Sequence, residues 1–80
     1  MKIRMRDERV FQGTPRQIVR AMQDIAFGVN DFTFRQYIDW VVANAQKFEG
    51  VELTVTGETD DDLAASLVDE MIRTGLTKRM

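Results

Sequence analysis

Between Pro15 and Ala26 the apolar residues recur at helical spacing: Ile18, Val19, Met22, Ile25 and Ala26 share one arc, with Arg16, Arg20, Gln23 and Asp24 opposite. Thr14 can accept from first-turn amides, Pro15 sits where its missing N–H costs nothing, and Gln17 holds the reciprocal capping-box position. The pattern predicts a helix from Pro15, with Gly28 supplying a left-handed stop. Thr33-Phe34-Arg35-Gln36 repeats the cap and opens a second helix running to about Phe48. Its expected inner arc is Phe34, Tyr37, Ile38, Val41, Val42, Ala45 and Phe48, with Arg35, Asp39, Gln46 and Lys47 outward. The likeness of the two caps ends after six residues, so they read as two helices using one capping device rather than as a duplicated unit.

Past Gly50 the period changes. Val51-Glu52-Leu53-Thr54-Val55-Thr56 alternates strictly, which predicts a half-buried strand with Val51, Leu53 and Val55 inward. Thr59 then caps a third helix that places Asp60, Asp61 and Asp62 in its first turn, where the amide dipoles favour negative charge. Leu63, Leu67, Val68, Met71 and Ile72 form its core face, and Thr74-Gly75-Leu76 reads as a Schellman stop. Residues 77–80 are expected to be a frayed basic tail.

At the other end Ile3 and Met5 alternate with Lys2, Arg4 and Arg6, but continuing that phase would turn Asp7 and Arg9 toward the core. Either Arg6 to Arg9 forms a hairpin turn or a bulge resets the register before Val10 and Phe11. The expected architecture is α+β: one domain over residues 1–76 in strand-helix-helix-strand-helix order, with a hairpin as an option at the N-terminus. Its helices pack on one face of a two- or three-stranded sheet.

Composition adds exclusions. The chain is 44% hydrophobic and 30% charged, with one Pro, which describes a globular domain rather than a disordered one. Its longest apolar run, Trp40 to Ala43, falls far short of the roughly 20 residues a membrane span needs. Cysteine is absent, so nothing argues for an oxidising compartment, and Met1 to Val10 lacks the apolar core of a signal peptide. A cytoplasmic location is the expectation.

The chemistry-bearing inventory is nearly empty, with no His or Cys, one Ser (Ser66) and one Tyr (Tyr37). General acid–base and covalent catalysis draw mainly on the missing types, so an enzyme is not expected. The five glycines are isolated and form no phosphate loop, and no cofactor is implied. Asp60-Asp61-Asp62, with Glu58, Asp69 and Glu70 nearby, could be taken for a metal site. Consecutive helical residues point in different directions and calcium-loop spacing is missing, so helix-start chemistry explains them and no metal is expected.

Binding surfaces remain. Trp40 lies off the inner arc of the second helix beside Gln36, Asn44 and Lys47. It either covers the flank of its own core or anchors a protein partner, where Trp is enriched. A small domain without disulfide or metal gains most from self-association, so the leading expectation is a non-catalytic interaction module, homodimeric through Trp40 or through an unpaired strand edge at Val51–Thr56 or Ile3–Met5.

The alternative partner is nucleic acid. The first 20 residues carry six basic side chains against Asp7 and Glu8, within a chain of net charge −2 and pI near 5.0. Lys2, Arg4, Arg6 and Arg9 could contact phosphates, or could be solvated residues that protect a sheet edge. A strand followed by two helices joined through Gly28-Val29-Asn30 resembles, over residues 2–48, the ribbon-helix-helix repressors. That resemblance implies a strand paired with its copy from a second subunit on DNA. Residues 51–76 have no place in the minimal motif.

Overall fold

A computed structural model describes all residues from Met1 to Met80. The three helices begin where the capping chemistry places them: α1 spans Pro15–Ile25, α2 Phe34–Glu49 and α3 Asp60–Arg73. At α1 the Thr14 hydroxyl accepts from the Gln17 amide at 3.2 Å while the Gln17 side chain accepts from the Thr14 amide at 2.9 Å. Thr33 and Gln36 close the same reciprocal box on α2 at 3.1 and 2.8 Å. Two orphan amides are satisfied at each end, worth about 1 kcal/mol per cap. Gly50, at φ 64°, ends α2. Helix α1 stops earlier than expected, at an extended Ala26, and Gly28 turns the chain only afterwards.

Element order is strand-strand-helix-helix-helix-strand, with strands β1 (Lys2–Met5), β2 (Val10–Gln12) and β3 (Thr77–Arg79). The sheet order is β2-β1-β3, both pairings antiparallel. The fold class is α+β, and the N-terminal phase break is a hairpin. Its turn is closed by the Met5 amide on the Arg9 carbonyl at 2.8 Å. Glu8 takes the left-handed position at φ 73°, and Asp7 accepts from the Arg9 amide at 3.1 Å.

Two expectations are corrected. Residues 77–80 are not a frayed tail: beyond Gly75 the chain reverses onto β1, the Met80 amide donates to the Lys2 carbonyl at 2.9 Å, and the Thr77 hydroxyl donates to the Arg4 carbonyl at 2.7 Å. Val51–Thr56 is not a strand of the sheet. Leu53 is buried as its alternation demands, but side chains of α3 take the backbone bonds a neighbouring strand would supply. The Thr54 amide donates to Glu70 Oε1 at 2.8 Å and the Thr56 amide to Ser66 Oγ at 3.0 Å.

Arg73 fixes Glu70 in place at 2.7 Å. The Arg73 guanidinium and then the Thr54 amide hold the Glu70 carboxyl down from its ordinary 4.5 to about 2. A group bound as its anion only in the folded state stabilises fully above its unfolded pKa, and that contribution drains as pH falls. The window here runs from about 4.5 to about 2. In a pH series of thermal unfolding, Glu70→Gln is expected to flatten the acid limb between those values; a limb unchanged from the parent would refute the link.

The core gathers Ile3 from β1, Ile18 and Val19 from α1, and Leu67, Val68 and Met71 from α3, all essentially inaccessible. Helix α1 lies against β2 and α3 against β3, so the helices cover the sheet face that carries Ile3. The opposite face presents Lys2, Arg4 and Lys78 to solvent. Gln23, expected outward on α1, is buried: its side-chain amide donates to the Val29 carbonyl at 3.1 Å and the Phe32 carbonyl at 2.9 Å, tying down the α1–α2 connection.

Candidate functional site

One face of α2 carries aromatic residues at turn spacing, Tyr37, Trp40 and Phe48, with Val41, Asn44 and Ala45 between them. They form one wall of a groove of about 390 Å³. Met5, Arg6 and Asp7 from the hairpin, Met22 from α1, Glu49 at the end of α2, Met71 from α3 and Leu76 just beyond it complete the lining. Nine of its thirteen lining residues are hydrophobic, so a ligand there would be held mainly by apolar burial.

Trp40 stacks on Tyr37 with ring centroids 5.8 Å apart and planes 24° from parallel. Tyr37 is buried beneath it, and burial pushes its hydroxyl up to about 12, so it stays protonated throughout the physiological range. Trp40 therefore covers its own core with one face and keeps 37% of its surface open. Phe48, one turn beyond Asn44, is 70% exposed rather than on the inner arc, and Lys47 Nζ stands 5.3 Å from its ring centre. The groove keeps its shape through Arg6, whose guanidinium donates to Glu49 at 3.0 Å and to the Gly75 carbonyl at 3.3 Å. That joins the hairpin to the ends of α2 and α3.

Trp40 lines the groove; of the residues grouped around it in the sequence, Asn44 lines it too, Lys47 lies at its rim over Phe48, and Gln36 is engaged in the α2 cap away from it. Sequence reasoning missed Phe48, Arg6 and Leu76 as groove residues. Trp40-Asn44-Phe48 spacing was a usable signal for the first; the other two arrive by tertiary packing.

Among the basic residues, Lys2 and Arg4 point outward from β1 and Lys78 joins them from β3. Arg6 pairs with Glu49 and Arg9 with Asp7 at 3.2 Å, so of Lys2, Arg4, Arg6 and Arg9 only Lys2 and Arg4 stand together on the open face of the sheet. The strand edges also differ from expectation. Ile3–Met5 belongs to the central strand, paired on both sides within the chain, and Val51–Thr56 is bonded to α3. A β1 occupied on both edges cannot pair with its copy as the ribbon-helix-helix resemblance implied. The open edges are β2 and β3.

Two aspartates of the acidic run at the start of α3 are paired with arginines. Asp60 accepts from Arg35 at 3.0 Å, and Arg16 reaches Asp61 at 3.5 Å. No three His, Cys, Asp or Glu side chains gather in a metal-binding arrangement, and no helix is long and apolar enough to cross a membrane. No protein-family model, curated protein or solved structure matches this chain.

Proposed function

We propose that the protein is a small, non-catalytic interaction module that forms a symmetric homodimer through the α2 groove. The observation that carries this reading is a projection and a recess on the same face: Phe48, 70% exposed, stands at the rim of an apolar groove of about 390 Å³. Under a two-fold axis each Phe48 can enter the groove of the other copy, which is the self-complementarity an isologous interface requires.

Charge supports a second copy as the occupant. The surround carries both signs, with Arg6 paired to Glu49 and Asp7 to Arg9 inside the protomer, so no excess of one charge repels a second copy of the same face. Specific dimers of standard size cover about 800 Å² per partner. The whole chain exposes 5259 Å², so the contact has to spread from the groove over the neighbouring surface of α2, with Trp40 and Phe48 as central anchors. A catalytic reading has less to draw on: the chain lacks His and Cys, and Glu70, its strongly acidified carboxylate, does not line the groove.

Light scattering of the full chain, at low and high salt, tests the proposal. A salt-resistant dimer is expected, and Phe48→Ala should weaken it by about 900-fold, because two-fold symmetry removes two hot spots of roughly 2 kcal/mol each. Phe48 is little buried in the protomer, so its truncation should leave the circular dichroism and thermal midpoint of the monomer near those of the parent. Trp40→Ala should also dissociate the dimer, with some loss of monomer stability because Tyr37 is uncovered. A folded monomer at high concentration would overturn the reading, as would a dimer indifferent to both substitutions.

A further inference from the structure

We infer that the solvent face of the sheet binds the phosphate backbone of duplex nucleic acid, through Lys2, Arg4 and Lys78. Pairing of β1 with β3 sets Arg4 directly opposite Lys78, and Lys2 lies two residues along β1 on the same face. Like charges placed opposite each other on adjacent strands destabilise a sheet. Only one long, exposed ion pair relieves them. Lys2 and Lys78 have no carboxylate within ion-pair distance, and the acid nearest Arg4, Glu8, is 3.9 Å away and largely solvated. Arg4 and Lys78 also flank, with Arg6, Thr77 and the carboxylate of Glu8, a polar cleft of about 210 Å³ at the turn end of the sheet, three cations against one acid with room for a phosphate group.

The charge of the whole molecule is divided the same way. Residues 1–12 and 77–80, the sheet and its turn, hold six basic side chains and two acidic ones, while residues 13–76 hold five basic and eleven acidic. A polyanion is therefore drawn to the sheet and repelled by the helical layer, which fixes the orientation of approach despite the net charge of −2. The exposed neighbours of the three cations, Val10, Gln12 and Met80, include no aromatic ring. Single strands are held by bases stacked on aromatic side chains, so a face without them suits the regular phosphates of a duplex. This inference stands whether or not the chain dimerises.

Fluorescence anisotropy of a labelled duplex of arbitrary sequence, titrated with the full chain, provides the test. Binding is expected to be weak and independent of sequence. Three neutralised phosphates give a slope of log K against log salt of about −2.7, so binding weakens about 40-fold for a fourfold rise in salt. Arg4→Gln should reduce the slope by about 0.9, and a Lys2→Gln, Arg4→Gln, Lys78→Gln variant should not bind. Arg20→Gln, the same change of charge on α1, should leave binding as it was. All of these positions are exposed, and circular dichroism of each variant checks that it is folded. Absence of duplex binding at low salt, retention by the triple variant, tighter binding to a single strand, or binding to anionic lipid vesicles but not to duplex would each overturn the inference.

Discussion

At pH 7 a Gln23→Glu variant is expected to be mostly unfolded, and to regain native circular dichroism as the pH is lowered toward about 4. Gln23 spends both donors of its amide on carbonyls, Val29 at 3.1 Å and Phe32 at 2.9 Å, while its own oxygen has no partner. An ionised glutamate there would be an acceptor facing two acceptors in a site closed to water. The penalty for such a buried charge is several kcal/mol, against a total stability of about 4–12 kcal/mol for a chain of this length.

The pH dependence follows from the sign of the shift. Burial and the two carbonyls raise the folded-state pKa of the new carboxyl above its unfolded value of about 4.3. The folded state then holds the proton more tightly, so stability falls as pH rises past that value and returns as pH drops. The protonated acid recovers one of the two donors. Gln23→Leu is the companion measurement, since it removes both donors without adding charge and should cost about 2–3 kcal/mol at any pH. If both variants unfold alike across the pH range, burial of charge is not the cause and the assigned role of Gln23 is wrong.

Replacing Gly57 by Ala is expected to cost about 3 kcal/mol or more and to lower the thermal midpoint by over about 12 °C. A Cβ at this position would stand 2.6 Å from the Cβ of Asp62, 3.0 Å from the Asp62 carbonyl carbon and 3.1 Å from the Leu63 nitrogen. Two of those three are backbone atoms in the first turn of α3, a turn that the Thr59 cap holds in place. The backbone at φ 148° adds conformational strain for any residue with a side chain. Gly28→Ala serves as the reference, because its φ is also positive but nothing lies within 4 Å of the added carbon. It should cost only the left-handed penalty of about 1–2 kcal/mol. Equal losses in the two variants would show that close approach of the chain to α3 is not what requires glycine at 57.

Gly57 directly follows the segment that best separates what the sequence reveals from what it conceals. Strict alternation over Val51–Thr56 correctly reports that Leu53 faces the core. It says nothing about which groups receive the backbone hydrogen bonds, and here Glu70 and Ser66 take the place of a strand. The strand that completes the sheet is Thr77–Arg79, three polar residues without an apolar position to mark them. Its place depends on Arg4 and Lys2, at the far end of the chain, and no local pattern can carry that information. The caps at Thr14, Thr33 and Thr59 were readable because each interaction spans three residues.

The groove was partly readable for the same reason. Trp40 shows on a helical wheel as an aromatic residue away from the buried arc. Phe48 falls on that arc by angle, but α2 runs past the core it packs on, and its last turn has nothing to bury against. Gln36 looked free beside Trp40 because the cap it serves competes for its side chain. Arg6 looked like one more cation until packing brought Glu49 and Gly75 to it.

The placement of β3 against β1 also governs how the chain reaches this structure. The Thr77–Arg4 contact closes a separation of 73 residues, whereas the helix caps and the β1–β2 turn close over a few. Local elements gain enthalpy early at small entropic cost, while the β1–β3 ladder has to wait until the chain between has been gathered. The central strand is thus half-paired during the search, and folding speed depends on how soon α1 and α3 bring its missing neighbour within reach.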